Sequence, residues 1–563
     1  MKLPKHILSI LLAVLLICCA DQAAFADNGY ALADDACSQA ARTGYPTIYL
    51  AGGWHALYDS ETGAAYFDTS DSMLTDASTK DMILAAAQNL DFDALGDALV
   101  RMYTKAYEDV AMDCDGESIN PNLKCAVALF LPTGTLDGLP AAEALYPGYI
   151  QSLGLDPALL KQFPDGTRYY GADVALYFKD NEGYYSFDWR IDPVENARIL
   201  HEWIENTVLP KSGKDKVNLA FVSGSGPIGL AYLSEYMEGL EDHVNAITFN
   251  EAFHNGSSMW GGIATRQFRL DPDALGNTGP MYEWGFQEII KPYIPMIRLL
   301  YEAGLIDVLA KFFNRAASGA FDRLYEEALI PMWFHMPFYW ALVPANVYEQ
   351  AKRALFPTHS EYTAHAKLFE MTDRYHKIQA GSDSLFAAAA DKIKVGINCS
   401  YGYPLNPYSA MSYVSSDELV DTYYASCGAT CALPNRPFSI FYKQAKAVEG
   451  GKPGYSYVSP DRMVDASTGV LSDHTWFNKD APHLPDLRMD GWVEWFCNAP
   501  KGEDTVHDNA RYPQWMTIIE YGYYKPLEFT DTLWNRLVDT LLMVMMWVAN
   551  IWRQILLLPL FWM

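Results

Sequence analysis

The chain has 563 residues, half of them hydrophobic, and a formal net charge of −28. That length suits one large α/β domain with insertions, or two or three smaller domains, and the apolar share is enough for a sizeable core. The acidic balance argues against nucleic acid as a partner, because phosphates would be repelled.

The N-terminus reads as a secretory signal over residues 1–26. Lys2 and Lys5 form the charged region, Ile7 to Ala20 the apolar run, and Ala24-Phe25-Ala26 an A-x-A cleavage site. The protein is therefore expected to be secreted or held at the cell envelope. A lipoprotein reading on Cys19 competes, but Cys18 sits where a small residue is preferred. Cleavage leaves Cys37, Cys114, Cys125, Cys399, Cys427, Cys431 and Cys497. Cys114 with Cys125, and Cys427 with Cys431, are the short-loop disulfide candidates; the odd count leaves at least one thiol over. Cys427-x-x-x-Cys431 lacks an obvious second ligand pair for zinc, and the serine chemistry read below requires neither metal nor cofactor.

Residues 46–54, PTIYLAGGW, form the first strong strand running into a glycine turn. Residues 91–110 are helical, with Leu95, Leu99, Met102, Tyr103, Ala106 and Val110 at helix spacing. Cys125 to Leu131 and Ala172 to Phe178 have strand character, and a helix over 194–208 follows. Lys216 to Leu233 then reads as a buried strand, a tight turn and a helix. Val217, Leu219, Phe221 and Val222 form the strand, Ser223 to Gly226 the turn, and Pro227 suits a first helical position. Val244 to Phe249 is the next strand. Alternation of strands and helices favours a mainly parallel sheet.

A serine on such a strand-to-helix turn is the nucleophile elbow of an α/β-hydrolase; the alternative is a plain Gly-Ser turn. The usual G-x-S-x-G is absent. Centred on Ser223, the pattern puts Phe221 in a crowded slot, so Ser225 is the expected nucleophile. Gly226 would give one oxyanion-hole N–H and Gly53 the other, with Trp54 beside the substrate.

Strand signals vanish over 259–391. Helical stretches rich in aromatics take over, and residues 330–344, IPMWFHMPFYWALVP, are very apolar. Either this segment packs inside a helical subdomain, or it is a lid whose Trp333, Phe334 and Phe338 cover a lipid-sized site. Strands resume at 394–399, and a later strand ends on Asp461. His483 follows the last short strand candidate, 475–478. Ser225, Asp461 and His483 thus occur in the order nucleophile, acid, base. Asp465 and His474 are the competitors.

Residues 187–193, FDWRIDP, resemble the Y-D-W-R-x-x-P segment of the lecithin:cholesterol acyltransferase-like lipases and phospholipases, in the same place before the elbow. Residues 46–57 resemble that family's oxyanion turn, with Ala51 in place of a proline. Residues 246–257, AITFNEAFHNGS, resemble its P-H-x-G-S strand, with Phe253 for the proline. Residues 459–464 resemble its D-G-x-V acid loop, with Arg462 for the glycine. The resemblance implies an α/β-hydrolase fold, a serine triad and a lipid acyl ester substrate, cleaved by hydrolysis or passed to another acceptor. The altered elbow leaves open a catalytically inactive lipid-binding relative. Asp188 and Arg190 read as a structural ion pair.

The expected organisation is a hydrolase core over 27–258, a helical lid over 259–391, core again over 392–515, and a membrane-associating segment over 516–563. Within the last, Leu533 to Met563 forms an amphipathic stripe with interfacial tryptophans. Its uncharged run is shorter than the roughly 20 residues a spanning helix needs. In-plane anchor, tilted spanning helix and core-packed helix remain the three alternatives.

Overall fold

The structure is a computed structural model. It describes residues 44–50, 57–59, 65–66, 82, 85–86, 89–124, 128–131, 182–277, 294–447, 455–483, 489, 491–520 and 523–527. The signal peptide, Gly53, Trp54, the expected strand at 172–178, Cys37, Cys125 and the segment 533–563 lie outside them.

The strands are β1 Thr47–Leu50, β2 Leu57–Asp59, β3 Ala65–Tyr66, β4 Leu123–Lys124, β5 Ala128–Leu131, β6 Glu182–Tyr185, β7 Val217–Val222, β8 Val244–Asn250, β9 Lys394–Tyr401, β10 Thr430–Cys431, β11 Val464–Asp465, β12 Thr475–Lys479, β13 Trp515–Glu520 and β14 Tyr523–Pro526. Nine of them make the main sheet, in the order β14-β13-β12-β9-β8-β7-β1-β6-β5. Pairing is parallel from β6 through to β13 and antiparallel at both edges, β5 with β6 and β13 with β14. The chain is therefore an α/β protein with a mainly parallel sheet.

The central strands are buried along their whole length. β7 reads VNLAFV and β9 KVGINCSY, every residue buried. Such strands need cover on both faces, and helices supply it. Phe221 and Phe249 stack at 5.5 Å on one face, under α3, Gly226–Glu235. Beside α3 lie α2, Pro193–Trp203, α4, Ala366–Ala380, and α5, Ser382–Lys392, whose Phe386 packs 4.9 Å from Phe249. On the other face Ala220, Ala246 and Trp476 pack against α6, Trp492–Asn498. Gly396 is what lets α6 approach: a Cβ there would lie 2.8 Å from the Phe496 ring.

Helix α1, Phe92–Tyr107, is capped by Asp91, whose carboxylate accepts from Ala94 N, worth about 1 kcal/mol. Its buried face meets the aromatic segment of the helical insertion. Trp333 lies 5.0 Å from Tyr103, 5.1 Å from Trp260 and 5.2 Å from Tyr339, and Phe338 lies 5.4 Å from Phe187. Trp333, Phe334 and Phe338 are all buried. The expected lid face is thus core packing between the insertion and the sheet layer, because the rings find aromatic partners on α1 and on 187–189. Arg190 and Asp188 form a two-pronged buried ion pair, at 2.8 and 2.9 Å.

Two expectations are corrected here. Residues 516–520 and 523–526 belong to the sheet, in β13 and β14, so the boundary drawn at 516 falls inside a strand. Cys427 and Cys431 are both free thiols rather than a disulfide. No described helix is long and apolar enough to cross a membrane.

Candidate active site

Four loops at the carboxyl ends of the adjacent strands β7, β8, β9 and β12 converge on one buried point. In parallel sheets this end is where functional groups collect. β7 delivers Ser223, which begins the turn into α3. Its φ is +52°, a left-handed conformation that a non-glycine residue rarely adopts. The turn is locked around it. The Ser223 carbonyl accepts from Gly226 N and, at 3.0 Å, from Phe253 N in the loop after β8. The turn and that loop are so close that a Cβ on Gly226 would stand 2.7 Å from His254 N.

The Ser223 hydroxyl lies 2.8 Å from His483 Nε2. His483 follows β12, and its Nδ1 lies 2.8 Å from Asp417 Oδ2, in the loop after β9. A carboxylate only accepts, so Nδ1 carries the proton, and Nε2 is left to accept from the serine hydroxyl. The main chain holds the same pair, with His483 N donating to Asp417 O at 2.6 Å. The second carboxylate oxygen, Oδ1, accepts from Leu419 N and Val420 N at 2.9 and 2.6 Å, so the acid cannot swing away.

A second carboxylate faces the same imidazole. Glu251, just past β8, is fully buried with a φ of +47°. Its Oε1 accepts from Ser400 Oγ at 2.6 Å, and its Oε2 stands 3.8 Å from His483 Nδ1. Burial drives the His483 pKa down, but the charges of Asp417, which also hydrogen-bonds it, and of Glu251 outweigh that and leave it above 6.5.

Glu251, Asp417 and His483 bring three possible metal-binding atoms within 4.8 Å of one another. Asp417 Oδ2 and His483 Nδ1 bond each other, and the remaining Asp417 oxygen takes two backbone donors. The set fits a hydrogen-bonded chain better than an open coordination sphere.

Of the residues expected from sequence, His483 is at this point and Ser225 and Asp461 are not. The Ser225 hydroxyl is buried against backbone: it accepts from Val222 N at 2.7 Å and reaches the carbonyls of Val222 and Leu50 at 2.8 and 3.0 Å. It braces the turn. Gly226 gives its N–H to the Ser223 carbonyl and so serves the turn as well. Asp461 holds its own turn, accepting from Ser459 Oγ at 2.6 Å, with Lys479 Nζ at 3.9 Å. Of the competitors, Asp465 caps Ser467, and His474 faces Asp504 at 3.9 Å.

The crowding at Phe221 that disfavoured Ser223 is relieved further along the helix. Gly229 leaves the space: a Cβ there would come within 2.6 Å of Phe249 and 2.8 Å of Phe221. A glycine on the inner face of the helix, six residues past the serine, was the available signal. Asp417 carried a weaker one, as an acid in the long excursion that follows the buried strand β9.

Compared with known proteins, the chain matches no family model and no curated sequence.

Proposed function

We propose that this chain is a serine hydrolase of the α/β-hydrolase type, with Ser223 as nucleophile, His483 as general base and Asp417 as the orienting acid. The observation that carries the reading is the left-handed Ser223 with its hydroxyl 2.8 Å from His483 Nε2. Strain at one buried serine, aimed at a histidine that is itself held by a buried carboxylate, has no evident use in folding alone. The order of the strands carrying nucleophile, acid and base agrees with it.

In the reaction, Ser223 Oγ bonds to an ester carbonyl carbon as its proton passes to His483 Nε2. The carbonyl π electrons move to oxygen, and the N–H of Gly224, next after the nucleophile, faces that oxyanion. Gly53, which follows β1 in the sequence, is the proposed second donor. Collapse breaks the bond to the alcohol, which leaves with the proton from His483. Water then attacks the acyl-serine with His483 again as base, releasing the acid and restoring Ser223. No residue in these steps requires a cofactor.

Lipid acyl esters are the proposed substrate class. The segment resemblance to lecithin:cholesterol acyltransferase-like lipases at 187–193 and 246–257 supports it, as does the amphipathic composition of 533–563. Hydrolysis of p-nitrophenyl esters of graded chain length tests the whole reading. Ser223→Ala should lower kcat by about 10⁴-fold, whereas Ser225→Ala should keep a measurable rate and lose stability. A Ser223→Ala enzyme with full activity would reject the assignment.

A further inference from the structure

Ile440 and Phe441 are the most exposed large apolar side chains among the described residues, at 79% and 83%. They form the tip of a loop over 433–447, within the same long excursion between β9 and β12 that carries Asp417. The tip is braced from behind. Arg462 donates from Nε to Phe438 O at 3.1 Å and from Nη2 to the carbonyls of Ser439 and Tyr442. Phe438 N returns a bond to Arg462 O at 2.8 Å. The Phe438 and Tyr442 rings stack at 4.2 Å, and Tyr442 OH donates to Asp465 Oδ2 at 2.9 Å. The residues on either side of the tip are therefore tied inward, and Ile440 and Phe441 are held outward.

Keeping two such side chains in water forgoes the stabilisation their burial would bring. The charges around them give the reason. Residues 433–447, LPNRPFSIFYKQAKA, contain Arg436, Lys443 and Lys446, all exposed, and no acidic residue, on a chain whose net charge is −28. An apolar tip in a segment whose only charged residues are cations is the composition that binds an anionic lipid interface.

We propose that the 433–447 loop docks the protein on an anionic phospholipid surface, with Ile440 and Phe441 entering the interface and Arg436, Lys443 and Lys446 facing headgroup phosphates. This deepens the lipid-ester reading and rests on it for its purpose, but it is measured without turnover. The test floats the full chain with vesicles of phosphatidylcholine, and with vesicles in which part is replaced by phosphatidylglycerol. Partitioning should favour the anionic vesicles about tenfold or more. Ile440→Ser/Phe441→Ser should lower binding to both by about tenfold or more. Lys443→Glu/Lys446→Glu should abolish the anionic preference. The thermal midpoint of each variant reports whether it folds, and the two pairs act independently. Absent binding, equal binding to both vesicles, or a folded Ile440→Ser/Phe441→Ser variant that binds like the parent would overturn the proposal. Hydrolysis of soluble p-nitrophenyl butyrate by the parent protein judges the hydrolase reading separately.

Discussion

Two carboxylates share one imidazole in this site, and they do different work. Asp417 meets His483 Nδ1 in a direct hydrogen bond, while Glu251 stands a further ångström away and acts through its charge. Both favour the protonated ring, so the acid limb of kcat/KM should lie above 6.5, with activity lost as pH falls through it. Glu251→Gln removes one of those charges. That limb should then move to lower pH with the plateau rate largely kept; an unmoved limb would mean that Glu251 does not act on His483. Asp417→Asn should instead lower the plateau itself by orders of magnitude, because the ring loses its orienting acceptor. The linkage to folding has a definite sign. A raised folded-state pKa adds stability below 6.5, and this is lost as pH rises through the folded value. At this scale sequence reading placed only His483. Ser223 and Ser225 differ by two positions in one turn, and what separates them is where backbone donors lie. Val222 N and the Leu50 carbonyl capture Ser225, and Leu50 is far away in the chain.

The strand-turn-helix unit of β7 and α3 was legible as a unit, because a mostly apolar strand, a Ser-Gly turn and a proline at the helix start follow one another. Its tolerance to change turns on Gly229. Glycine inside a helix usually costs about 1 kcal/mol relative to alanine, so Gly229→Ala would ordinarily stabilise. Here the added Cβ would meet two rings at 2.6 and 2.8 Å, and both rings are fully buried in the sheet face. Overpacking should win, destabilising the fold by about 1–3 kcal/mol in denaturant unfolding. Because α3 would be pushed off the sheet, Ser223 should be displaced too, and ester hydrolysis should fall more than stability alone requires. A Gly229→Ala protein more stable than the parent would show that the two rings yield.

Across the whole molecule, alternation of apolar strands and helices was enough to infer a parallel sheet, and the helical character of 259–391 was equally plain. The role of that helical region was not. An apolar run such as 330–344 reads the same whether it covers a pocket or fills a core, since composition does not say which partners its rings meet. Trp333 meets Tyr103, Trp260 and Tyr339. Trp333→Ala should therefore cost about 3–5 kcal/mol of stability and lower activity on soluble and aggregated esters alike. A loss confined to aggregated substrate would restore the lid. Strands β13 and β14 were missed because they adjoin an apolar tail in the sequence, and β14, at the sheet edge, is short and carries a weak alternation signal.

The assignment of the nucleophile is tested most directly by treating the folded protein with a fluorophosphonate and mapping the adduct by peptide mass spectrometry. The account predicts a single phosphonyl adduct on Ser223, formed by the parent and not by His483→Ala, which lacks the base that activates the serine. An adduct on Ser225, or a folded parent protein that takes up no label, would contradict it.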